Sequence, residues 1–315
     1  MKKIFILLIA FAFFSCENII YPELEPSLEQ YVVDAWLNDL PGSQKIFLSK
    51  SNNYFMSELP KLLSGAEVYL TDEDGNRYDF EETEGGYVWG DSSSTSFLQV
   101  GTSYQLNVSI DGIRFSGTSE MNPVPPVDSI TFKYQEKDFS TAEDYYLAEV
   151  VATDLAGVGN TYWIKAWKNE VYLNKASEIN IAYDAGFSAG GNIDGQVFIQ
   201  PIQELINPFD TDEAGEALIE PPYSIGDTIY VEIHSISESA FYFLNEVKIQ
   251  TVRSGGFGAL FAQPFSNVST NLINEDVNSA IHPVGFFNVS AISSLEQVLT
   301  SEIAQKAQEE AENKN

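Results

Sequence analysis

One cysteine, Cys16, stands in 315 residues, so no disulfide can close within the chain and no cysteine-built zinc site can form. Histidine is nearly as scarce. His234 and His282 lie far apart in unlike contexts and match neither His-x-His nor the His-Glu-x-x-His spacing of a zinc hydrolase, so no metal is expected. Basic residues number 16 against 46 acidic ones, a formal net charge of −30. Such a polyanion gains nothing from counterion release, which excludes nucleic acid as a partner, and it is repelled by anionic head groups. Long apolar runs are missing as well: the longest, residues 4–14, falls short of the roughly 20 residues a spanning helix needs. What is plentiful is aromatic: 16 Tyr and 21 Phe among many Thr, Ser, Val and Ile, a composition that favours strands. The length suggests two domains.

The first residues have the layout of a secretory signal, with Lys2 and Lys3 ahead of the apolar run and Ser15 directly before Cys16. This end resembles a bacterial lipobox, in which cleavage after residue 15 coincides with acylation of the cysteine sulfur. Phe13 and Phe14 depart from its usual Leu and small residue. Lipidation at Cys16 is the expectation. The membrane hold then comes from acyl chains, at about 0.8 kcal/mol per buried methylene, and not from a basic patch. Residues 16–30 carry Pro22, Pro26 and several glutamates without periodicity and read as a tether. Acidic residues behind the cysteine resemble the signals that send lipoproteins to the cell surface in Bacteroidota.

Residues 31–124 alternate with period two. Ala66, Val68 and Leu70 share one face of a strand, and Tyr104, Leu106, Val108 and Ile110 share one face of another, which turns at Asp111-Gly112 into Ile113 and Phe115. Such strands predict an immunoglobulin-like β-sandwich, and this half is also similar to the transthyretin-like or carboxypeptidase-regulatory-like β-sandwich. Pro123, Pro125 and Pro126 mark a connector. Residues 125–293 predict a β-rich second domain with one substantial helix, capped by Ser237 and carrying Ala240, Phe243, Leu244 and Val247 on its apolar side. In that domain Tyr162, Ile164 and Ala166 alternate with Trp163, Lys165 and Trp167, and Ile229, Val231 and Ile233 alternate with Tyr230, Glu232 and His234. Residues 294–315 read as an acidic helical tail, with a short apolar stripe of Leu295, Val298, Leu299 and Ile303.

No residue cluster announces a reaction, so an enzyme is not expected and neither catalytic residues nor cofactors are assigned. Asp72, Asp74 and Asn76 have the alternate spacing of a calcium loop, but Arg77 and Thr83 stand where an EF-hand loop needs Gly and Glu, and a polar hairpin turn accounts for them. Gly90-Asp91-Ser92 lacks the second glycine and the strand-to-helix context of a nucleophile elbow. Trp163 and Trp167 flank Lys165 on one strand face, where two indoles could stack on a sugar, a peptide or a partner; the competing reading places them in the core. With Phe257 and Phe261 of the Gly-Phe-rich stretch, these residues are the candidate contacts for a ligand or partner.

The ordered set comprising the lipobox, Val33-Asp34-Ala35-Trp36-Leu37, Ser64-Gly65-Ala66-Glu67-Val68 leading into LTDEDGNRYDF, MNPVPPVDSI, IGDTIYVEIHSISESAFYF and VGFFNVSAIS resembles the Bacteroidota lipoproteins grouped under a domain of unknown function numbered 4249. The resemblance spans nearly the whole chain beyond the signal. It implies an accessory role beside a TonB-dependent outer-membrane transporter in nutrient uptake, with the ligand unknown; no family residue roles carry over. Asp128-Ser129-Ile130 and Asp227-Thr228-Ile229 fit the O-glycosylation pattern of exported Bacteroidota proteins, making Ser129 and Thr228 candidate acceptors. The alternative expectation is a cell-surface structural or adhesion module.

Overall fold

The structure, a computed structural model, describes residues 29–52, 59–137, 143–191, 193–208, 222–252 and 266–313. Cys16, Phe257 and Phe261, with the signal and most of the tether, lie outside the described residues.

The fold is mainly β. Strands β1 (Tyr31–Asn38), β2 (Gln44–Lys50), β3 (Glu67–Asp72), β4 (Arg77–Thr83), β5 (Gly86–Trp89), β6 (Ser103–Ile110) and β7 (Ile113–Glu120) open the chain. The alternation seen in the sequence sets their inward faces: Val33, Ala35, Leu37, Ile46, Leu48, Val68, Leu70, Leu106, Val108 and Phe115 are buried together in one core. The hairpin turn at Asp111-Gly112 has positive φ at both residues, 51° and 77°, as a type I′ turn requires.

The chain then runs through Met121–Asp128 into β8 (Ser129–Gln135), β9 (Tyr145–Val151), β10 (Thr161–Lys168), β11 (Val171–Tyr172) and β12 (Asn180–Tyr183). The short helix α1 (Gln200–Glu204), the long strand β13 (Thr228–Ile236) and helix α2 (Glu238–Thr251) follow. Ser237 caps α2, its hydroxyl accepting from the Ala240 N–H at 3.2 Å, and Ala240, Phe241 and Leu244 are the buried residues. The chain ends with β14 (Leu272–Asn274), β15 (Val284–Ser290), β16 (Ile292–Val298) and α3 (Ser301–Glu312). The connector is tied to the second half by hydroxyls, Ser235 donating to the Asn122 carbonyl and Ser293 to that of Pro125, both at 2.6 Å.

Three features differ from the sequence reading. First, where two packed sheets of an immunoglobulin-like sandwich are expected, one continuous sheet of nine strands runs in the order β14-β7-β6-β3-β4-β5-β2-β1-β15, nearly closed on itself. Its two halves face each other across one core, so strands such as β1, β2 and β6 show the alternation that a sandwich would show. Second, β14 and β15 return to this first sheet although they fall within residues 125–293, and β15 pairs with β1 in parallel. β15 is buried on both faces, Phe287 and Val289 toward the first core and Phe286 toward another cluster, so it carries no alternation to mark its place. Third, the helix expected from Leu295 begins only at Ser301, because Leu295 and Val298 belong to β16, paired with β13. Thr300 caps α3, and Ala304 and Ala307 dock it.

The second sheet, β11-β10-β13-β16 with β12 also paired to β10, buries Tyr162, Ile164, Ala166, Ile229, Val231 and Ile233 on one face. Against them lie Ile130, Phe132, Ala148 and Val150 of the β8–β9 hairpin, together with α1 and α3.

Candidate functional site

Because Tyr162, Ile164 and Ala166 point inward, the intervening residues of β10 must point to the other face of the second sheet, and the same holds for β13. Antiparallel register then sets them in rows: Trp163 opposite His234, Lys165 opposite Glu232, Trp167 opposite Tyr230. β16 extends the rows with Ser294 opposite Glu232 and Glu296 opposite Tyr230, and β11 adds Tyr172 opposite Trp167. The face is thus aromatic at both ends and charged in the middle.

One end is closed. Trp163 meets Trp36 of β1 edge to face at 5.1 Å between centroids, and Trp36 stacks on Phe286 of β15 at 5.7 Å. Phe243 of α2 packs on both Trp36 and Phe286. This aromatic cluster joins the curled sheet to the second sheet. Trp163 is therefore packed, and Lys165 lays its ammonium over the indole, 3.9 Å from the ring centre.

The charged row sits at the edge of that closure. The Glu232 carboxylate is buried and takes two hydrogen bonds, from the Tyr230 hydroxyl at 2.9 Å and from His234 Nε2 at 2.7 Å. Burial pushes the His234 imidazole down to about 4, with the Lys165 charge adding to the effect and Glu232 opposing it. The ring is therefore neutral at pH 7 and donates from Nε2. Burial also holds the Lys165 ammonium down, to about 8, against the attraction of Glu232 and Asp34. Burial raises the carboxyl of Asp34 on β1, opposed by Lys165. Asp34 is exposed on β1, and its charge couples to that of Lys165 on β10.

The other end is open. Trp167, Asn169, Glu170, Thr228, Tyr230, Glu232 and Glu296 line a groove of about 790 Å³. Trp167 stacks on Tyr172 at 4.8 Å and leans on Tyr230 at 5.3 Å. Burial, then the Glu232 charge, raises the Tyr172 hydroxyl to about 12, so it remains a donor. The rim is the two-residue turn Asn169-Glu170, with positive φ of 48° and 68°. Asn169 pins it, accepting from the Thr228 N–H and donating to Asp227, each at 2.8 Å.

The residues singled out in the sequence therefore separate. Trp163 and Lys165 belong to the junction, Trp167 to the groove, Thr228 to the groove lining, and Ser129 opens β8 on the other side of the molecule's second core. Tyr172 and Glu296 carried no sequence signal of their own, and Asp34 stood only within a family-like segment, since register and tertiary contact bring them here. The alternation of Tyr230, Glu232 and His234 did mark a polar, aromatic sheet face. Asp72 closes the β3–β4 turn, accepting from the N–H groups of Asp74 and Asn76 and from the Tyr78 hydroxyl. Among the described residues no group of three or more His, Cys, Asp or Glu side chains is arranged to hold a metal ion, and no helix is long and apolar enough to cross a membrane.

No curated protein matches the sequence. A family model does, over residues 17–296, and that span takes in the curled sheet, the second sheet and the groove between Trp167 and Glu296. The chain belongs to the family described as Domain of unknown function (DUF4249).

Proposed function

We propose that this protein is a non-enzymatic, lipid-anchored outer-membrane protein of the Bacteroidota type, serving as a ligand-binding or gating partner of a TonB-dependent nutrient transporter. The observation that carries the ligand-binding part is the groove at Trp167: an open, aromatic and acidic concavity on a rigid β scaffold, where binding sites concentrate. The anchor rests on the lipobox-like end at Cys16, and the transporter on the family resemblance. Glu232 of the groove faces Lys165, whose charge couples in turn to Asp34 of β1, and this link between the groove and the first sheet supports the gating part of the reading.

Affinity-tagged protein isolated from detergent-solubilised outer membranes tests this reading. A barrel transporter recovered in near-stoichiometric amount is the expected result. Recovery without any barrel partner would overturn the transporter role.

A further inference from the structure

The first unit contains a small constellation that the groove repeats with one member missing. On β3, Tyr69 has Glu67 two residues before it and Thr71 two residues after it; across the ladder Asp79 faces Tyr69 and Arg77 faces Thr71. The Arg77 guanidinium lies over Tyr69, its central carbon 3.6 Å from the ring centre, and donates to Glu67 at 2.8 Å and Asp79 at 2.7 Å. On β13, with the strand direction reversed, Tyr230 has Glu232 on one side and Thr228 on the other; across the ladder Glu296 faces Tyr230 and Val298 faces Thr228. The two carboxylates, the tyrosine and the threonine correspond, and the arginine position holds Val298.

The neighbouring chain cations do not lie over the rings of the groove, although the Lys165 charge acts on Glu232 across the strand pair. Lys165 lies over Trp163, and Lys168 pairs with Asp227 at 3.3 Å. Among the described residues no cation lies over Trp167 or Tyr230, although Glu170, Glu232 and Glu296 all line the groove they share. A planar cation fits such a place better than an ammonium, because it can face an aromatic ring and donate in its own plane to carboxylates at the edge. At about 790 Å³ the groove is also larger than one guanidinium needs, leaving room for the rest of a small molecule.

We infer that the groove binds the guanidinium group of a small ligand, arginine or a short arginine-containing peptide being the chemical class, with Tyr230 and Trp167 as the aromatic walls and Glu232 and Glu296 as the acceptors. This rests on the groove being the protein's ligand site and is independent of any transporter.

Calorimetric titration of the full-length protein in detergent with Nα-acetylarginine amide tests it, with the lysine analogue and the uncharged citrulline analogue as controls. Saturable binding of the arginine compound is expected, at least about fivefold tighter than the lysine one and with no measurable citrulline binding. Val298→Arg should abolish binding by placing an internal guanidinium where Arg77 has one, and Glu296→Gln should weaken it about fivefold or more. Both positions are exposed, so unchanged melting temperatures will show that the fold is retained. Equal binding of citrulline, no saturable binding of arginine, or wild-type affinity in Val298→Arg would each overturn the inference. Arginine binding without a co-purifying barrel would leave the inference standing and remove the transporter; a barrel without arginine binding would do the reverse.

Discussion

Trp36 and Trp163 meet edge to face, 5.1 Å apart between ring centroids, and through them β1 of the curled sheet is packed onto β10 of the second sheet. Trp167, four residues further on the same strand face, instead stands at an open groove. Trp163→Ala should lower stability by about 3 kcal/mol, as truncating a packed core aromatic does, whereas Trp167→Ala should cost about 1 kcal/mol or less. Urea unfolding of the two variants checks this. Equal losses would mean that the two indoles do not have separate tasks.

Gly285 faces Val33 in the parallel pairing of β1 and β15. Its φ is +93°, and a Cβ there would lie 2.1 Å from the Val33 carbonyl oxygen, a backbone atom that cannot step aside. Gly285→Ala therefore forces β15 away from β1, with a loss of at least about 2 kcal/mol. A lowered denaturation midpoint, with faster amide exchange along β15, is the expected outcome.

Asn271 substitutes for a missing ladder where β15 approaches β7. Its side chain accepts from the Phe287 N–H at 3.1 Å and donates to the Phe287 carbonyl at 2.7 Å and the Thr118 carbonyl at 3.2 Å. Phe287 is fully buried, so Asn271→Ala strands its backbone groups, at a cost of about 1–3 kcal/mol. Asn271→Asp can still accept but cannot donate. It should recover only part of the loss in thermal unfolding.

His234 makes stability depend on pH with a definite sign. Unfolded, the ring takes up a proton as pH falls below 6.5; folded, burial delays this until about 4. Stability should therefore fall as pH drops through that window, by an amount on the order of 3 kcal/mol, and level off below it. The depressed Glu232 carboxyl acts in the same direction at the acidic end: burial alone would raise it, but the His234 hydrogen bond and charge, with the Tyr230 bond, prevail. His234→Gln should flatten the profile between pH 6.5 and 4. Urea midpoints of both proteins across that range make the comparison, and parallel slopes would exclude His234 as the source.

Local chemistry by itself determined much of this molecule. Period-two alternation set which faces of β3, β6, β10 and β13 are buried, because a strand with one wet face must place its apolar residues two apart. Asp111-Gly112 set a hairpin, since few other residue pairs adopt positive φ twice, and Ser237 set the start of α2 by satisfying an N–H that the helix leaves free. Tertiary structure decided the rest. Curling of one sheet and pairing of two both bury alternate residues, so alternation does not distinguish them. β15, buried on both faces, carries no periodic mark of the sheet it joins. The groove joins side chains from β10, the β10–β11 turn, β13 and β16, more than a hundred residues apart in sequence at the extremes, and only ladder register brings Trp167, Tyr230 and Glu296 into one row.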